Sequence, residues 1–198
     1  INLTVEKGTS IAIVGASGCG KTTLLQAMAG LDTFTSGKAE LCGHNLMNIK
    51  DSELAKVHNN YIGFVYQKSH LLPDFNLLEN IAFPLAIKGD KEAHKKALAI
   101  INKLKLGDFM QYYPHQISGG MQQKIAIGRA IANKPKVIFA DEPTGNLDID
   151  SKNLVLDNLF TASYENEAAL VIVTHDNMVA KKADIIINMS ELNRANRV

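Results

Sequence analysis

The sequence predicts an α/β fold with a mainly parallel sheet and an inserted helical subdomain. Three observations carry this. Short apolar runs alternate with helical patterns along the 198 residues, the order expected of strand–helix–strand units. The first strong apolar run leads directly into a glycine-rich turn and then a helix. Between Gln67 and Lys134 the strand signals stop and the pattern becomes mainly helical.

The elements follow in order. Asn2–Val5 alternates polar and apolar residues and reads as an opening strand. The chain begins at Ile1 and enters that strand almost at once, so an N-terminal segment is expected ahead of it. Ser10–Val14 is a short apolar run suited to a buried strand, and Thr22–Ala29 reads as a helix closed by Gly30. Further strands are expected at Tyr61–Val65, Val137–Ala140, Leu170–Val173 and Ile185–Ile187. In the middle, Leu77–Ile87 is apolar, Lys91–Leu104 is amphipathic, and Ser118–Ala132 opens with a serine cap. Pro73, Pro84 and Pro114 are expected to punctuate its loops. Residues 68–134 are therefore assigned to a helical subdomain within one domain spanning 1–198.

Composition narrows the function classes. The chain is 46% hydrophobic and 21% charged, with 21 basic against 20 acidic residues. A net charge of +1 offers no basic face, which argues against nucleic acid as a partner. The longest apolar runs, such as Ile81–Ile87, fall far short of the roughly 20 residues a membrane helix needs. Cys19 and Cys42 suggest no disulfide framework. These features point to a soluble chain in a reducing compartment.

Chemistry concentrates first in Gly15-Ala16-Ser17-Gly18-Cys19-Gly20-Lys21-Thr22, which fits the spacing GxxxxGK[ST]. The glycines let the backbone approach phosphates without an intervening Cβ, and the helix start supplies free N–H groups and a dipole that favours anions. Lys21 is expected to reach the β- and γ-phosphates, and the Thr22 hydroxyl, beside Thr23, to ligate Mg²⁺. This spacing, after a strand and before a helix, implies a nucleoside triphosphate.

A second site is expected where Val137–Ala140 ends in Asp141 and Glu142. Asp141 is placed to hold Mg²⁺, and Glu142 to polarise the attacking water as general base. A third lies at Ile117-Ser118-Gly119-Gly120-Met121, where a hydroxyl and unencumbered N–H groups open a helix. Alone, this last segment reads equally well as an ordinary helix cap.

In combination these motifs resemble a known family. The order GASGCGKT, Gln67, ISGGM, VIFADE, Asn146-Leu147-Asp148 and His175 is similar to the nucleotide-binding domain of ABC ATPases, and it spans residues 15 to 175. The resemblance implies a P-loop NTPase core, ATP and Mg²⁺ as ligands, and a head-to-tail homodimer with two ATP molecules between the subunits. It implies that Ser118, Gly119 and Gly120 cap the γ-phosphate held by the partner's loop. It further implies that Gln67 contacts Mg²⁺ and the attacking water, that His175 bonds the γ-phosphate, and that Asp148 links the two sites.

The sequence departs from the family pattern in places. Met121 stands where the signature usually carries Gln or Glu, so phosphate capping is expected to rest on Ser118 and backbone N–H groups. Gln122 stands where Arg is common. The adenine-stacking aromatic of the family falls upstream of Asn2, so no residue of this sequence is assigned to adenine. Within the family, Asp141–Asp148 resembles the branch of lipoprotein-releasing, macrolide-export and cell-division ATPases. His70–Asn80 most resembles the lipoprotein-releasing members. That implies transmembrane permease partners, a pair with large periplasmic domains, and peripheral attachment through them to the cytoplasmic face of the bacterial inner membrane. A regulatory cell-division type or a macrolide-type exporter is the alternative.

Overall fold

A computed structural model describes residues 1–47 and 49–194. Its main sheet contains β1 (Ser10–Val14), β4 (Ile62–Val65), β5 (Val137–Asp141), β6 (Ala169–Thr174) and β7 (Ile185–Asn188) in the order β4-β5-β6-β1-β7. Every neighbouring pair is parallel. A separate antiparallel hairpin joins β2 (Glu40–Leu41) to β3 (His44–Asn45) and has no counterpart in the sequence expectations. The fold is thus a mainly parallel α/β sheet, as the alternating pattern predicts.

The central strands are apolar on both faces because both faces are covered. Ile11, Ile13, Phe139, Val171 and Val173 pack one way, with Leu25 and Ala29 of the helix α1 (Lys21–Met28). Ile138, Ala140, Leu170 and Ile172 pack the other way, against Ile127 and Ala130 of α5 (Gly119–Ile131) and Val155, Leu156 and Leu159 of α6 (Ile149–Glu165). A third apolar cluster lies among α3 (Leu77–Ile87), α4 (Ala93–Lys103) and α5, with Leu77, Ile81, Ala97, Ile101 and Ile125 at its centre. Helix α2 (Asp51–Tyr61) precedes β4, and the short α7 (Asn177–Ala180) and α8 (Met189–Arg194) flank β7.

Helix ends follow local chemistry. Asn76 caps α3 in a reciprocal box: its side chain accepts from the Glu79 N–H at 2.8 Å, and Glu79 accepts from the Asn76 N–H at 2.8 Å. At the other end of α1, the Gly30 N–H donates to Ala27 and the Leu31 N–H to Gln26, which consumes two terminal carbonyls.

Three expectations are corrected. Asn2–Val5 is not a strand among the described residues, because no neighbouring strand accepts its hydrogen bonds; the alternation survives, with Leu3 and Val5 half-buried against the core. Tyr61 ends α2 rather than opening β4. Pro84 lies inside α3 rather than in a loop. An interior proline costs a helix about 3 kcal/mol, and burial of Leu77, Ile81, Ala82 and Leu85 outweighs it here. Among the described residues, no helix is long and apolar enough to cross a membrane.

What positions the site is register. Val14 pairs with Thr174, and Asp141 pairs with Val173, so β1, β6 and β5 finish level with one another. The turns that follow these three neighbouring strands therefore converge at one sheet edge, where ligands of open α/β sheets bind.

Candidate functional site

The glycine-rich turn fills the step from β1 to α1. Gly20 adopts φ 96°, ψ 13°, a left-handed conformation that a side chain would strain. As the cap of α1 it contributes no side-chain hydrogen bond, so no capping group occupies the first-turn N–H groups. Ser17 and Gly18 are exposed at the tip, and Thr23 is exposed on the first turn of α1. Lys21 is only 8% exposed, and its Nζ donates to the carbonyls of Gly15 at 2.9 Å and Ala16 at 3.0 Å. The Cys19 N–H closes the turn on Ala16 O at 3.4 Å.

Thr22 projects toward the end of β5, where its hydroxyl donates to Asp141 Oδ1 at 3.1 Å. Burial pushes the Asp141 carboxyl above the ordinary carboxylate range and the nearby Glu142 charge adds to this, while the Thr22 hydrogen bond and the Lys21 charge oppose it. A hydroxyl and a carboxylate oxygen side by side form the hard-donor pair that Mg²⁺ takes together with water and phosphate oxygens.

Glu142 follows at φ 45°, an unusual conformation for a residue with a Cβ. Its N–H is bonded to Val173 O at 3.0 Å, which holds the turn against β6. The carboxylate receives two partners from the adjacent turn: His175 Nδ1 at 2.7 Å from Oε1 and the Thr174 hydroxyl at 3.1 Å from Oε2. Thr174 Oγ1 itself accepts from the Asp176 N–H at 3.0 Å, which directs the hydroxyl proton to Glu142. Glu142 is mostly enclosed, whereas the side chain of His175 remains 66% exposed.

Gln67, just beyond β4, donates from Nε2 to Asn146 Oδ1 at 3.3 Å and thereby joins the loop after Glu142. Lys21, Thr22, Asp141, Glu142, His175 and Gln67 are thus linked along one sheet edge. Ser118, Gly119 and Gly120 are not part of that group. They open α5 beside the start of α6, where Asp148 caps the helix by accepting from the Ser151 N–H at 2.9 Å. Backbone and side-chain bonds from Ser151 hold the Asp148 carboxyl below its ordinary range. A shallow hollow there is lined by Ser118, Gly120, Met121, Lys124 and Ser151. Ser118 Oγ accepts from the Met121 N–H at 3.3 Å, so this N–H is engaged within the chain, while the side chain of Met121 packs on the third apolar cluster. The Ser118 hydroxyl is a cap in this structure, as its bland reading has it.

Sequence reasoning did not single out Thr174, Asn146 or Lys152 as individual contributors. Thr174 and Asn146 stand inside quoted motifs, next to His175 and Asp148, so their signal is adjacency. Lys152 lies outside every motif; only folding brings its Nζ within 2.5 Å of Asp176 Oδ2.

Comparison with known proteins agrees with this geometry. The family profile described as ABC transporter matches residues 1–145. The lipoprotein-releasing system ATP-binding protein LolD of Shewanella denitrificans is 43% identical over 193 residues, covering 96% of this chain and 83% of that protein. An ABC transporter ATP-binding protein of Escherichia coli, YbbA, is 41% identical over 93% of this chain and 82% of its own length. Among solved structures, the dimeric post-hydrolysis state of the ATP-binding cassette MJ0796, bound to ADP and Pi, superposes with a TM-score of 0.86 at 36% identity, covering 95% of this chain and 84% of the other. With a phosphate loop, a carboxylate pair and a histidine turn converging on one sheet edge, the chain belongs to the ABC transporter family of nucleotide-binding ATPases.

Proposed function

We propose that this chain energises the release of lipoproteins from the bacterial inner membrane, acting as a homodimer on the cytoplasmic face. Its partners in this reading are a pair of permease subunits with large periplasmic domains, and its contact with the membrane is through them alone. Nucleic acid is not a partner. The supporting observation is identity of 39–44% to several lipoprotein-releasing ATP-binding proteins over 96% of the chain. Comparable identity to YbbA, whose name carries no cargo, favours a second reading. There the same ATPase gates a membrane partner without lipoprotein transport, as in the cell-division or macrolide-export branch.

In the proposed cycle, Lys21 gives up its two carbonyl partners for the β- and γ-phosphate oxygens of ATP, and residues 15–23 wrap the phosphates. Thr22, Asp141 and Gln67 hold Mg²⁺, which when bound offsets charge on those oxygens. Glu142 takes a proton from the attacking water, with its carboxylate held by Thr174 and His175. Ser118, Gly119 and Gly120 of a second copy close over the γ-phosphate, and Asp148 links the two sites. Residues 68–134 act as the helical subdomain that meets the permease, and adenine is held by residues preceding Ile1.

Affinity purification from solubilised membranes, followed by mass spectrometry, tests this reading. Recovery of a permease pair with large periplasmic domains supports it. Recovery of a lone permease overturns lipoprotein release in favour of the second reading.

A further inference from the structure

The first turn of α6 touches two functional segments through adjacent residues. Ser151 faces α5: a Cβ added at Gly120 would come 2.9 Å from Ser151 Oγ, so the glycine allows close approach. Lys152 faces the opposite way. Its Nζ lies 2.5 Å from Asp176 Oδ2, and both side chains are under a quarter exposed, at 24% and 22%. The other lysine–carboxylate pairs among the described residues have at least one partner well over a third exposed.

Asp176 is fully used. Oδ2 meets Lys152, Oδ1 accepts from the Met178 N–H at 2.8 Å, and its own N–H donates to Thr174 Oγ1 at 3.0 Å. Thr174 in turn donates to Glu142 Oε2, while His175 meets Oε1. The backbone of Lys152 is fixed as well, because its N–H donates to Asp148 O at 2.9 Å. A continuous polar chain therefore runs from the Asp148 cap through Lys152 and Asp176 to both oxygens of Glu142.

We propose that Lys152 is a positioning residue for ATP hydrolysis: its ion pair with Asp176 fixes the turn that orients Glu142, and ties that turn to the helix start against which the Ser118 segment rests. This rests on the reading of Glu142 as general base. Lys152 touches neither the phosphate loop nor Asp141, so it acts on the chemical step and leaves nucleotide binding alone. Small misplacements of catalytic groups carry large rate penalties.

The test is steady-state ATPase kinetics and thermal melting of the full chain carrying Lys152→Met, Lys152→Arg or Glu142→Gln. Lys152→Met is expected to lower kcat about tenfold with KM for ATP within about a factor of two and the melting temperature unchanged. Lys152→Arg, which keeps the charge, restores kcat to within about twofold. Unchanged kcat in Lys152→Met, failure of Arg to rescue, or a kcat loss that tracks a lowered melting temperature overturns the proposal. If instead Glu142→Gln hydrolyses ATP at the normal rate, the base assignment falls and the proposal with it; loss of activity in that variant alone removes only the role of Lys152.

Discussion

His175 Nδ1 stands 2.7 Å from Glu142 Oε1, a contact between turns that follow two neighbouring strands. With Glu142 ionised, Nδ1 carries the proton, and Nε2 is left on the exposed side of the ring. The pair gives the carboxylate one fixed orientation from the histidine and a second from Thr174.

Replacing Glu142 by Gln keeps the shape and removes the base. Turnover is expected to fall at least about 100-fold while ATP binding persists, so that two subunits remain closed on unhydrolysed nucleotide. Size-exclusion chromatography with Mg-ATP is the check, and a monomer peak alone would contradict it.

Lys21→Ala removes a cation that is buried in the loop. Charge-assisted hydrogen bonds are worth about 2 kcal/mol, so ATP affinity should drop at least about 30-fold. Equal affinity in isothermal titration would refute the assignment of this loop to phosphate.

Ser118 can be split into two roles. Ser118→Ala loses the cap on the Met121 N–H and should cost about 1 kcal/mol of stability. Ser118→Asn keeps a capping oxygen, so its melting temperature should match that of the parent chain. If the hydroxyl also serves the partner's phosphate, ATPase activity falls in both variants; full activity in Ser118→Asn would confine Ser118 to capping.

Asp184 gives a prediction in pH. Its carboxylate accepts from Ser10 Oγ at 2.6 Å and the Ser10 N–H at 2.8 Å, which holds it below its ordinary range. A depressed folded-state value stabilises the fold above the unfolded value, near 3.9, and that contribution disappears as pH falls through the folded value. Asp184→Asn should therefore flatten the stability profile between about pH 5 and pH 2, read by chemical denaturation across that range. An unaltered acid limb would show that the Ser10 contact carries no proton linkage.

Much of this was legible in the sequence, and the exceptions have physical causes. β1, β5, β6 and β7 lie within one residue of their expected bounds because runs such as Leu170–Val173 are apolar on both faces. Leu77–Ile87 was readable as an apolar segment, yet Pro84 masked its continuity, since local chemistry argues for a break that packing overrides. The reverse happened at Asn2–Val5, where local alternation is right but a strand exists only with a neighbour to bond. The phosphate loop and the Asp141–Glu142 pair announce themselves through spacing. Lys152–Asp176 does not, because a lysine on a polar helix turn has no local feature separating an ion pair from a solvated side chain.

One consequence of the level strand ends remains. On β6, Leu170, Val171, Ile172 and Val173 are all fully buried, so sliding the strand by one residue would exchange greasy neighbours for greasy neighbours. Oil alone cannot say where such a strand stops. The polar terminus does: the Glu142 N–H on Val173 O and the Thr174 hydroxyl on Glu142 act as end-stops. The groups suited to water activation are thus also the alignment marks of the sheet, and a substitution that dulls the chemistry there also loosens the grip that keeps the strands in step.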